Sequence, residues 1–92
     1  MPKLLIIRQF IFLLFSEDVF EKRKHIHVEI RKGKRRYVAK FWLEPTIELI
    51  KRGNLSSTEV NEAKKLIEKN YDLLLSQIEN VLKGEKVTTI KK

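Results

Sequence analysis

The stretch His25-Ile26-His27-Val28-Glu29-Ile30-Arg31-Lys32-Gly33-Lys34-Arg35-Arg36-Tyr37-Val38-Ala39-Lys40-Phe41-Trp42-Leu43 decides the fold. Successive side chains of a strand point to opposite faces. Ile26, Val28 and Ile30 therefore share one face, and His25, His27, Glu29 and Arg31 share the other. After the bend at Lys32-Gly33-Lys34-Arg35 the alternation resumes, with Tyr37, Ala39, Phe41 and Leu43 on the apolar face and Arg36, Val38, Lys40 and Trp42 opposite. Matching the two apolar faces across a hairpin pairs Ile30 with Tyr37 and Val28 with Ala39. The other face then pairs Glu29 with Val38, His27 with Lys40, and His25 with Trp42; a two-residue slip would keep the faces and change the partners.

Outward from this hairpin, Leu4 to Ile7 and Phe10 to Phe15 read as two buried strands that reverse at Arg8-Gln9. Ser16-Glu17-Asp18 closes the second, and Val19 to Lys24 is a polar connection. Pro45 ends the fourth strand. Thr46 to Arg52 reads either as a short helix or as a fifth, edge strand. Ser56 to Glu59 is a capping box. From there Val60, Ala63, Ile67, Tyr71, Leu74, Ile78 and Val81 form one helical stripe, which Leu66, Leu73, Leu75 and Leu82 widen, until Gly84 stops it. A helix of that extent is about 39 Å long, against roughly 23 Å for a seven-residue strand. Either it breaks near Asn70 or its far half overhangs the sheet.

The expected fold is α+β: an antiparallel sheet of four to five strands with one long C-terminal helix packed on one face. Ile26, Val28, Ile30, Tyr37, Ala39 and Phe41 should face Ile67, Tyr71 and Leu74. Residues 1–84 form a single domain and 85–92 a basic tail in which Val87 to Ile90 is β-prone. An overhanging leucine stripe would call for self-association or a heterocomplex through the helix.

Ninety-two residues suffice for one domain and exclude a large enzyme with a deep pocket. The absence of cysteine excludes disulfides, thiolate metal sites and a thiol nucleophile. Hydrophobic residues at 42% and charged residues at 35% argue against disorder. Leu4 to Phe15 is too short to span a bilayer, which takes about 20 apolar residues, and it lacks a signal-peptide cleavage pattern; a cytoplasmic protein is expected. Gly-rich phosphate loops, nucleophile elbows, paired-carboxylate motifs and zinc spacings do not occur, and one long helix does not make a helix-turn-helix.

The net charge of +8 is concentrated. Residues 22–40 hold Lys22, Arg23, Lys24, Arg31, Lys32, Lys34, Arg35, Arg36 and Lys40 against Glu29, and elsewhere bases and acids cancel. Such a run is either a solvated hairpin or a footprint for phosphate. Trp42 beside it either stacks on a base or is capped by residues 46–52 as core. His25 and His27 also read in several ways. They can be polar strand positions bonded to neighbours, an acid–base pair with Lys40 for metal-independent RNA cleavage, or metal ligands with Glu29. No cofactor is expected, and no metal site is assigned.

The order of these features resembles a known family. His25-Ile26-His27-Val28-Glu29, Ala39-Lys40-Phe41-Trp42-Leu43-Glu44-Pro45 and the Leu55-Ser56 to Glu59 helix start are similar to the domain-of-unknown-function 4160 family of small prokaryotic proteins, over about residues 1–80. Members carry a Gly or similar turn former where this chain has Arg8-Gln9, and a Pro-rich approach to the first His where it has Lys22-Arg23-Lys24. Members often neighbour a domain-of-unknown-function 2442 gene in pairs assigned to type II toxin–antitoxin modules. The resemblance implies a toxin-side protein with a small neutralising partner, and names no reaction; the basic hairpin and the histidines add the expectation that it acts on RNA or translation. His25, His27 and Lys40 would then be catalytic candidates, and Lys22, Arg23, Lys24, Arg31, Lys32, Lys34, Arg35, Arg36 and Trp42 a nucleic-acid contact set. The alternative is a non-enzymatic nucleic-acid- or protein-binding module on the antitoxin or corepressor side.

Overall fold

The computed structural model describes residues 3–15 and 23–92. Expectations for Ser16 to Lys22 lie outside the described residues. Among the described residues eight elements follow in order: β1 (Lys3–Ile7), β2 (Phe10–Leu13), β3 (His25–Lys32), β4 (Arg35–Trp42), β5 (Glu48–Lys51), α1 (Ser57–Lys69), α2 (Tyr71–Leu82) and β6 (Ile90–Lys91). Among the described residues the strands form one sheet, ordered β5-β4-β3-β2-β1-β6. Both helices pack on one face of it.

The β3–β4 hairpin has the register that matched faces require. Ile30 pairs with Tyr37, Val28 with Ala39, Glu29 with Val38, His27 with Lys40 and His25 with Trp42. Ile26, Val28, Ile30, Ala39 and Phe41 join Ile67 and Leu74 in the buried core, with Tyr37 and Tyr71 packed against it. β2 extends the sheet antiparallel to β3, setting Ile11 beside Glu29 and Leu13 beside His27. The β1–β2 reversal places Arg8 at φ +52, in the left-handed region, and an Arg8–Glu62 ion pair of 2.8 Å ties the turn to α1. Residues 48–51 resolve as the edge-strand alternative, paired to β4 across a bulge.

Two expectations are corrected. Among the described residues the sheet has six strands, and it is mixed, because Ile90–Lys91 pairs parallel with β1. Gln77, buried on α2, donates through Nε2 to Leu4 O at 3.1 Å and Thr88 O at 2.9 Å, and Thr89 Oγ1 donates to Lys3 O at 2.8 Å. These bonds hold the C-terminal segment on the β1 edge. The second correction is that two helices replace the single long one. Asn70 leaves helical geometry at φ −115, ψ 23, and its side-chain Nδ2 donates to Leu66 O at 2.9 Å beside its own backbone N–H. Short polar side chains compete with the helix ladder in this way. The break removes the overhang: Leu74 and Ile78 are buried and Leu73, Leu75 and Val81 pack against the core, so Leu82 alone among the stripe's leucines is largely exposed.

The helix ends follow their sequence signals. Ser56 Oγ accepts from Glu59 N at 3.1 Å while Glu59 Oε1 accepts from Ser56 N at 2.8 Å. Gly84, at φ +78, closes α2, with Glu85 N bonded to Asn80 O and Gly84 N to Val81 O, the pairing of a Schellman motif. No helix of the described residues is long and apolar enough to cross a membrane.

Candidate nucleic-acid interface

The face of the sheet turned away from the helices collects most of the chemistry-bearing residues. Strand alternation places His25, His27, Glu29 and Arg31 of β3 there, with Arg36, Val38, Lys40 and Trp42 of β4 beside them. Ile11 and Leu13 flank them from β2.

At one end the Arg23 guanidinium lies 4.4 Å above the Trp42 ring, and Lys40 Nζ stands 5.6 Å from the same ring. Arg23 Nε donates to Glu44 O, which fixes the guanidinium over the indole. His25 meets Trp42 edge-on with centroids 5.5 Å apart, and His27 at 5.7 Å. His25 is 2% exposed, and its Nδ1 lies 3.1 Å from Arg23 O. A carbonyl only accepts, so Nδ1 is the donor in this contact. His27 is half-buried, with the Phe15 ring edge-on at 4.2 Å. Phe15 in turn lies 5.8 Å from the Arg36 guanidinium. At the far end Glu29 accepts from Arg31 and Arg36.

Two expected basic residues turn the other way. Lys24 reaches Glu79 of α2 at 3.1 Å and Glu44 at 3.7 Å. The Glu79 hydrogen bond raises the Lys24 pKa above its ordinary value, against the opposing effect of burial. Lys32 binds Glu59 of α1 at 2.8 Å, and that bond, with the Ser56 backbone N–H, lowers the Glu59 pKa. Lys34 and Arg35 are exposed at the hairpin tip. Lys22 lies outside the described residues.

The metal reading of His25, His27 and Glu29 is not supported by the geometry. Both Glu29 oxygens are taken by arginines, and among the described residues no group of three His, Asp or Glu is arranged to hold an ion. Trp42 pairs with Glu48 of β5 through the backbone, but its half-buried ring is faced by cations rather than capped as core. Sequence reasoning missed Phe15 as a member of this face. Its position follows from the β2–β3 pairing, across a connection without pattern. A separate groove of about 550 Å³ on the helix side, lined by Leu43, Pro45, Thr46, Ile47, Lys64, Glu68 and Tyr71, holds none of the expected site residues.

The family described as domain of unknown function (DUF4160) matches residues 10–78. The chain belongs to this family. The matched span runs from β2 into α2, so the family region contains Phe15 and the whole β3–β4 surface. β1 and β6 fall outside it. No curated protein and no solved structure matches the chain.

Proposed function

We propose that the protein binds single-stranded RNA on the sheet face opposite α1 and α2, as the toxin-side component of a type II toxin–antitoxin pair. One observation carries the binding reading. Trp42 and Phe15 lie on one sheet surface with Arg23, Lys40 and Arg36 all between 4.4 and 5.8 Å of their rings. Interleaved aromatic and cationic side chains are what an unpaired strand needs, since bases stack on rings while phosphates meet positive charge. From His25 to Arg31 the surface runs about 20 Å along β3 at a strand's rise per residue. The toxin-side setting rests on the family resemblance, and association with a small cognate protein belongs to it. The C-terminal helix is the proposed contact, with Leu82 as its exposed apolar anchor.

A second reading keeps RNA as the ligand and adds cleavage, with His25 and His27 as base and acid and Lys40 beside the phosphate. The 5.7 Å spacing of the two rings favours it. The burial of His25 and its bond to Arg23 O favour binding without cleavage. Both readings are tested by adding a labelled single-stranded RNA to the intact protein and following anisotropy and chain length together. Binding without shortening supports the binding module. Shortening that His25→Ala or His27→Ala abolishes, with affinity retained, supports the nuclease. Inducing the chain alone in a host cell tests the setting: growth arrest supports the toxin side, and unaffected growth removes it.

A further inference from the structure

Arg31 and Arg36 are register partners one pair in from the turn end of the β3–β4 hairpin. Like charges directly opposite each other on a sheet repel, so the pair needs an anion to hold it. Glu29, two residues back along β3 on the same face, supplies one. Its Oε2 accepts the Arg31 Nε–H at 3.0 Å, and its Oε1 accepts the Arg36 Nε–H. The carboxylate is 2% exposed, whereas the two arginine side chains are 64% and 42% exposed. One buried acid thus holds two exposed bases, with formal charge +1 over the three. A guanidinium has five N–H donors in a rigid fork. Each spends its Nε–H on Glu29, which leaves the amino groups of two fixed forks for a ligand.

We propose that Glu29, Arg31 and Arg36 form a preorganised clamp for a phosphodiester group, with Glu29 as its positioning residue. The inference rests on the single-strand reading above and says where one backbone phosphate is held. Arg36 also stands beside the Phe15 ring, which puts an aromatic side chain next to the clamp. Guanidinium forks suit this ligand because they meet phosphate oxygens with paired, charge-assisted hydrogen bonds.

Glu29→Gln separates this account from general attraction. The substitution makes the protein more positive by one charge, so attraction by net charge alone predicts equal or tighter binding of a polyanion. The clamp predicts the reverse, because the arginines lose their shared anion and splay. The probe is a fluorescein-labelled uridine hexanucleotide, titrated at several salt concentrations with circular dichroism checking the fold. The expected result is binding roughly ten-fold weaker than for the unaltered chain, with a salt slope lower by about one phosphate contact. If E29Q fails to fold, the Arg31→Lys, Arg36→Lys double variant replaces it; it keeps the charge, loses the fork, and is expected to show the same loss. Equal or tighter binding by either folded variant overturns the clamp and leaves the single-strand reading standing. Failure of the unaltered chain to bind the hexanucleotide at low salt overturns that reading, and the clamp with it.

Discussion

Gly53 tests how the edge of the sheet is held beside the candidate site. It sits at φ +60, and a Cβ built there falls 1.7 Å from Val38 O and 2.5 Å from Val38 C. Two costs follow for Gly53→Ala. The left-handed backbone costs an alanine about 1–2 kcal/mol. The carbonyl clash cannot be relieved by a side-chain rotation, since both atoms are backbone, so β5 must move away from β4. Gly33 provides the control. It has a similar φ of +62 with nothing within 4 Å of its Cβ, so Gly33→Ala pays the first cost alone. In a small domain about 1 kcal/mol moves the melting temperature by roughly 4–8 °C. Thermal unfolding followed by circular dichroism is expected to place G33A several degrees below the unaltered chain. G53A is expected at least about 8 °C lower still if the clash adds about 2 kcal/mol or more. Equal melting temperatures for the two variants would refute the reasoning. Because β5 carries Glu48 beside Trp42, G53A should also change Trp42 fluorescence at temperatures where G33A does not.

Ser56→Ala removes one arm of the capping box and should cost about 0.5–2 kcal/mol in urea unfolding. The lowered Glu59 pKa contributes stability that is present above the ordinary value near 4.5 and is lost as pH falls through the folded value; Glu59→Gln should flatten that part of the acid limb in pH-dependent melts. Trp42→Ala should weaken single-stranded RNA binding by about 1–3 kcal/mol if one base stacks on it, measured by fluorescence anisotropy with a labelled strand. Gln77→Ala breaks the two bonds that tie the C-terminal segment to β1, and hydrogen exchange of residues 88–92 should accelerate.

The β3–β4 hairpin was legible because both strands alternate cleanly; a two-residue slip would match the faces equally well, and the tight Gly33-Lys34 turn that closes on the Lys32–Arg35 pair selects the register. The capping box and Gly84 were legible because they are local, with every partner within a few residues. The β6 pairing was not, since a two-residue strand has no period and is held by Gln77 and Thr89 from afar. The helix break had only an indirect signal: the mismatch between helix and strand lengths pointed to Asn70, while the apolar stripe ran through it unbroken. On the face opposite α1 and α2, alternation put His25, His27, Lys40 and Trp42 together. It also put Glu29 beside the histidines, where a metal reading arises. Only side-chain geometry shows that the carboxylate belongs to Arg31 and Arg36. The charge run likewise looked uniform, yet Lys24 and Lys32 are drawn to acids on the helix side.

A single strand should seat on the sheet face opposite α1 and α2. Amide and side-chain chemical-shift changes on titrating the uridine hexanucleotide at low salt test it most directly. The account predicts shifts concentrated on Phe15, His27, Arg31, Arg36, Lys40 and the Trp42 indole, with Lys64, Glu68 and Tyr71 unmoved, and loss of the shifts as salt rises. Shifts confined to the groove of Lys64, Glu68 and Tyr71, or no shifts at all, would contradict it.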